Sequence, residues 1–275
     1  MGGCDLSALH APATARSPRH ALPHVSPALF RWFLAYASGY ARRNFHAIRV
    51  AEERHALAVA GRPLLIYMNH PSWWDPIVAA VLAKTYFQGC SHYTPMDADA
   101  LAKYKFFGRL GFFGMKQGAS ASARKLLDIG QQALARNHSV LWMTPQARFS
   151  DVRERPLKLA SGLSHLVRHA PNCVVLPVAL EYAFWEERTP EALVRFAPPL
   201  TGYDLREALR VPRVFELLLE ETLDALAQDS IRREVSHFRT ILSGRAGVGG
   251  LYDVWRRLRA RLSGRPFIAE HGKAR

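Results

Sequence analysis

Pro63-Leu64-Leu65-Ile66-Tyr67-Met68, followed at once by Asn69-His70-Pro71-Ser72-Trp73-Trp74-Asp75, is the stretch on which the reading of this chain turns. An uncharged apolar run that ends in turn-forming residues predicts a buried strand. His70 and Asp75 then fall in the loop at its carboxyl end, where open α/β sheets place their ligand sites. Asn69 and Pro71 favour a sharp turn there, since the residue before a proline is pushed out of helical conformation. A carboxylate that folds back onto one imidazole nitrogen fixes the tautomer and leaves the other nitrogen free as a base. Such a base takes the proton of a hydroxyl as it attacks an acyl group.

The same spacing recurs at His92 and Asp97, so spacing alone does not choose between the pairs. Context chooses His70, because it directly follows a strand, whereas His92 sits in a polar stretch near a later strand end. Cys90, His92 and Asp97 are too loosely spaced and too mixed in type to predict a metal centre. No metal and no cofactor is expected.

Working outward, further apolar runs at 87–94, 140–144, 173–180 and 193–197 predict strands, and 76–84, 120–136 and 156–169 predict helices. Strand–helix alternation argues for an α/β fold with a mainly parallel central sheet flanked by helices, over residues 61–200. Pro177 has no N–H for a sheet ladder, which predicts an edge, a bulge or a break in the 173–180 strand. Residues 1–27 read as a flexible leader. The segment 28–60 reads as an amphipathic N-terminal helix, with Leu29, Trp32, Phe33, Tyr36 and Tyr40 as one stripe and Arg31, Arg42, Arg43 and Arg49 around it. Two readings of that helix stand together: packing on the domain, and lying in a membrane interface with its rings at headgroup depth. Residues 201–275 read as a helical C-terminal extension. It has an apolar stripe at Phe215, Leu219, Leu223 and Leu226 and a basic one around Leu251, Val254, Trp255, Leu258 and Leu262, with a Gly-rich step from Gly244 to Gly250 between them.

The net charge of +14 over 275 residues calls for an anionic neighbour. The arginines follow no nucleic-acid module and flank aromatic helices instead, so an anionic membrane surface is expected and nucleic acid is not. No segment reaches the roughly 18–20 apolar residues needed to span a bilayer, and the first residues lack the apolar core of a signal peptide. A peripheral protein on the cytoplasmic face of a membrane is the expectation. Cys4, Cys90 and Cys173 are scattered, odd in number and without zinc spacing, which points to a reducing compartment.

Three later blocks complete the pattern. Gly111-Phe112-Phe113-Gly114-Met115-Lys116-Gln117-Gly118 reads as a strand-to-helix connection with a cation, Lys116, to offer. Thr144-Pro145-Gln146-Ala147-Arg148-Phe149-Ser150 closes one strand, and Val174 to Leu180 with Pro177 forms another. In order and spacing, these blocks and His70 to Asp75 resemble the glycerolipid (lysophospholipid) acyltransferase family over about residues 60–200, with its His-four-residues-Asp signature.

The resemblance implies transfer of a fatty acyl group from acyl-CoA or acyl carrier protein to a hydroxyl of a lysophospholipid or other lipid acceptor. His70 would be the general base and Asp75 its orienting partner. Lys116, Gln146 and Arg148 become candidates for binding substrate. Trp73 and Trp74 have two readings, lining the acyl path or packing in the core. The chain departs from the family in its third block, usually Phe-Pro-Glu-Gly-Thr-Arg-Ser. Gln146 stands for the acid, Ala147 for the glycine, and Arg148 falls one position early. In the second block Lys116-Gln117 stands near the usual arginine. These departures bear on the acceptor and leave the base pair intact. They also leave a second reading, a catalytically altered membrane-binding protein on the same fold.

Overall fold

The computed structural model describes residues 20–116 and 118–246. The chain opens with α1 (Pro27–Asn44), β1 (Ala47–Ala51), α2 (Arg54–Leu57), β2 (Leu64–Met68), α3 (Asp75–Tyr86) and β3 (Ser91–Asp97). It continues through α4 (Ala98–Lys103), β4 (Phe112–Met115), α5 (Ser120–Leu134), β5 (Ser139–Met143), α6 (Gly162–Arg168) and β6 (Val174–Ala183). Last come β7 (Glu191–Phe196), α7 (Gly202–Ala208), α8 (Val214–Arg232) and β8 (Arg239–Ser243). Among the described residues the strands form one eight-stranded sheet in the order β4-β3-β5-β2-β6-β7-β1-β8.

From β4 to β6 every neighbouring pair is parallel. The ladder turns antiparallel at β6–β7, runs parallel again at β7–β1 and ends antiparallel at β1–β8. All five β2 residues are buried, as a strand covered on both faces requires. Their side chains alternate between two cores. Leu64, Ile66 and Met68 meet α1 and α3, while Leu65 and Tyr67 meet α5, α6 and α8. The α/β expectation, a mainly parallel sheet with helices on its faces, is what the chain forms.

Several boundaries differ from the sequence reading. Residues 47–51 and 239–243, read as parts of helical segments, are strands on the far side of the sheet. The run 87–94 begins as the end of α3 and becomes a strand only at Ser91, which continues through Pro95 to Asp97 beside β4. The block 111–118 contains β4 rather than a plain connection. Gly111 precedes it at φ +94°, where a Cβ would lie 1.9 Å from the His92 carbonyl oxygen, so only glycine fits.

The helix read over 156–169 starts six residues later, at Gly162. The N–H groups of Leu157 and Lys158 donate to the Glu220 and Glu216 carboxylates of α8, and Ala160 donates to the Pro145 carbonyl. Those bonds replace helical ones and leave the segment irregular, with Lys158 at φ +56°. Pro177 is in an interior strand, so the edge reading fails and the irregularity holds. Val174 donates toward β2 and Val175 toward Leu200, which puts the Pro177 nitrogen on the β7 side. There the pairing slips by one residue between the Val175–Leu200 bridge and the ladder that begins at Val178–Phe196.

On α1 the aromatic stripe divides. Phe33 enters the core, whereas Trp32 is 60% and Tyr36 50% exposed. Arg49 does not flank this helix; it is buried in β1, paired with Glu191 at 2.9 Å. Phe215, Leu219, Leu223 and Leu226 of α8 are buried as their spacing predicts. Residues 1–19 of the leader, most of the Gly-rich step and the basic stripe at 251–262 lie outside the described residues.

Candidate active site

The carboxyl ends of β2, β5, β3 and β4 meet at one edge of the sheet, and the loops after them build the site. Asn69 ends β2. Its side-chain amide donates to the Leu180 carbonyl and accepts from the Leu180 N–H, both at 2.8 Å, which ties the loop to β6. The next residue is held from the other side by the loop after β5. The His70 N–H donates to Gln146 Oε1 at 2.9 Å, and the His70 carbonyl accepts from the Ser150 N–H at 3.0 Å. The imidazole therefore projects from a backbone with both polar groups satisfied.

Asp75 is the first residue of α3, with Pro76 behind it in the first turn, where the missing N–H costs nothing. The His70 Nδ1–H donates to Asp75 Oδ2 at 2.5 Å. The same oxygen accepts from the Ser72 N–H at 3.3 Å, and the Tyr182 hydroxyl donates to Oδ1 at 2.7 Å. A carboxylate only 2% exposed thus has three donors, which is how a buried charge is tolerated. Burial, and then the Asp75 charge, hold the Tyr182 phenol far above its ordinary pKa, so it stays a donor. With Nδ1 engaged, Nε2 is the nitrogen left over, and no hydrogen bond to it occurs among the described residues.

His70 and Asp75 open onto a cavity of about 620 Å³ that runs between α1, α3 and the ends of β3, β4 and β5. Its wall is mostly apolar and reaches Phe30, Phe33, Ala83, Leu110 and Trp142. That size falls within the range of small-molecule sites and suits an aliphatic chain. The competing pair comes apart. His92 accepts from Trp142 Nε1–H at 3.0 Å and its other ring nitrogen lies 3.3 Å from the Phe87 carbonyl, while Asp97 caps α4. Burial pushes the His92 pKa down to about 4, so it is a neutral wall residue.

The sequence model of the acyltransferase family matches residues 43–181, a span that contains β1 to β5, most of β6 and the loops that carry His70, Asp75 and Gln146, and that stops one residue short of Tyr182. The chain belongs to the acyltransferase family. Among solved structures it is similar to the crystal structure of the 1-acyl-sn-glycerophosphate acyltransferase PlsC from Thermotoga maritima. The two share 13% identity and a TM-score of 0.47, over 73% of this chain and 82% of that one. Comparison with curated protein sequences gives no match.

The remaining candidate residues of this acyltransferase spread over four positions. Trp73 is 55% exposed and lines the cavity, whereas Trp74 packs inward against Tyr40 and Phe45. Of the two tryptophans, one therefore lines the cavity and the other packs against the core. Arg148 lines the cavity and pairs with Glu154. Lys116 is exposed, one residue beyond Met115, which is in the wall; Lys116 is not. Gln146 lies behind His70 instead of in the cavity, with its Nε2 3.5 Å from the Leu157 carbonyl. Ala147 adopts φ +53°, a left-handed conformation that glycine takes without strain.

Three contributors escaped the sequence reading. Tyr182 gives no local signal, being far from Asp75 in sequence. Asn69 was visible as a turn former, but its clamp on Leu180 depends on β6 lying beside β2. Phe149 sits in the block already singled out, and its ring centroid is 4.5 Å from that of His70.

Proposed function

We propose that this protein is an O-acyltransferase that moves a fatty acyl group from acyl-CoA or acyl carrier protein to a hydroxyl of a lysophospholipid or other lipid acceptor. The observation that carries this reading is an imidazole bonded to a buried carboxylate through Nδ1 at the mouth of an apolar cavity. As the acceptor oxygen attacks the thioester carbonyl carbon, His70 Nε2 takes the hydroxyl proton. Asp75 holds the imidazolium that results. The tetrahedral oxyanion collapses, the carbon–sulfur bond breaks, and the leaving thiolate receives the proton from His70. An ester and a free thiol remain, and the histidine is restored. Base catalysis of this kind typically contributes about 10²–10⁴-fold. The donor is a substrate, and the chemistry calls for no cofactor.

The membrane reading rests on α1. Its exposed Trp32 and Tyr36 rings stack at 5.7 Å, and Arg31, Arg42 and Arg43 are exposed on the same helix. Aromatic rings at headgroup depth with arginines around them suit an anionic lipid surface on the cytoplasmic side. Among the described residues no helix is long and apolar enough to cross a membrane.

The test is purified protein incubated with acyl-CoA and a panel of lysolipids, with free thiol read by a thiol reagent and products by mass spectrometry. Thiol release that depends on an acceptor is expected, with a new ester in the lipid extract. Vesicle binding with no release under any acceptor and either donor would leave only a membrane-binding protein.

A further inference from the structure

The charges around the cavity discriminate between acceptor head groups. Asp75, Asp97 and Arg148 line it, and Arg148 is engaged by Glu154. Among the described residues, the wall and this partner thus set Asp75, Asp97 and Glu154 against a single guanidinium. His92, also in the wall, adds no positive charge near neutral pH. A phosphomonoester dianion placed here would meet one cation in the wall, with Lys158 acting on Glu154. It would have to displace Glu154 from that cation and leave a carboxylate beside itself.

What the mouth offers in quantity is aromatic surface. Phe149 is 58% exposed with its ring tilted against the His70 imidazole, and Trp73, 55% exposed, lines the same cavity. An acceptor hydroxyl at His70 Nε2 leaves its head group beside Phe149, in the cavity that Trp73 also lines. Ring faces attract ammonium and quaternary ammonium groups, more strongly where water is excluded. Asp97 in the wall and Glu154 beside Arg148 add to that attraction.

We propose that the acceptor is a lysolipid whose head group carries a cationic nitrogen, and that a phosphomonoester head is disfavoured. The proposal rests on the acyl-transfer reading above and names its acceptor class.

The test has a kinetic arm and a binding arm, both on the full chain. In the first, one acyl-CoA is offered with lysophosphatidylcholine, lysophosphatidate or monoacylglycerol of the same acyl chain. The choline acceptor is expected to exceed each of the others by tenfold or more in kcat/KM. In the second, tryptophan fluorescence follows dodecylphosphocholine and monododecyl phosphate below their micelle concentrations, and the phosphocholine is expected to bind at least tenfold more tightly. Lysophosphatidate or monoacylglycerol matching the choline acceptor overturns the proposal and leaves acyl transfer standing. Equal or reversed binding overturns it as well. A tenfold binding preference with no thiol released from any acceptor supports the head-group site and removes the acyl-transfer reading. Glu154→Gln, which frees Arg148, is expected to narrow the choline-to-lysophosphatidate ratio at least fivefold. An unchanged ratio overturns the charge argument.

Discussion

Replacing Asp75 by Asn tests the proposed division of labour at the centre of the site. The substitution keeps the shape and removes the charge. In the wild type the carboxylate lies 2.5 Å from Nδ1, is 2% exposed and accepts from three donors. When His70 takes a proton, the two unit charges are centred about 4 Å apart. At an effective dielectric near 20 their attraction is about 4 kcal/mol. Losing it from the transition state slows the chemical step by about 10³-fold. The amide also has a choice of orientation. With its oxygen toward Nδ1–H and Ser72, its NH2 must face the Tyr182 hydroxyl, which can accept. Turned the other way, the NH2 meets Nδ1 and forces the proton onto Nε2, which abolishes the base. Both outcomes slow turnover and leave the cavity wall intact. The assay is steady-state thiol release with acyl-CoA at saturating acceptor, alongside a melting curve. Turnover is expected to slow by about 10²–10⁴-fold, while KM changes less than threefold. Turnover within tenfold of wild type in a folded protein would refute the reasoning, because the carboxylate would then contribute nothing to the charged imidazole.

Other outcomes follow from the same geometry. Tyr182→Phe removes one donor from the buried Asp75 carboxylate and should destabilise the protein by about 1.5–3 kcal/mol in urea unfolding. Gln146→Ala leaves the His70 N–H without its partner, so kcat should fall while KM for acyl-CoA holds, in the same thiol-release assay. Ala147→Gly relieves a left-handed alanine and should leave stability unchanged or raise it by up to about 1 kcal/mol, whereas Ala147→Val should lower the melting temperature. His92 gives a pH signature. Between its unfolded pKa of 6.5 and its folded value of about 4, only the unfolded chain takes the proton. Its contribution is therefore fully present above pH 6.5 and lost as pH falls toward 4, amounting to about 3 kcal/mol. Urea unfolding at pH 7 and pH 4.5 should show this loss in wild type and less of it in His92→Gln.

What could be read in the sequence was what repeats locally. The uncharged run 64–68 is a central strand because every side chain in it has a core to enter; the loop after it carries His70 as its turn residues suggest, while Asp75, read as a loop residue, opens α3. The apolar spacing of α8 and the irregularity at Pro177 were legible for the same reason. What escaped were features made by distant partners. β1 and β8 are short, and their strand character comes from β7 and from each other. The 156–161 segment has helical composition, yet its N–H groups find the Glu216 and Glu220 carboxylates first. Arg49 looks like one more basic flank until Glu191 is beside it. At the site, the pairing of the His70 imidazole with the Asp75 carboxylate was visible because only five positions separate them. Tyr182 and the true place of Gln146 were not, because both depend on which strands flank β2.

The central claim is that His70 Nε2 removes the acceptor's hydroxyl proton. The most direct measurement is acceptor-dependent thiol release by His70→Ala beside wild type, with circular dichroism to show that both are folded. Turnover by the variant should be slower by about 10²–10⁴-fold, with vesicle binding unchanged. Turnover by folded His70→Ala at the wild-type rate would contradict the claim.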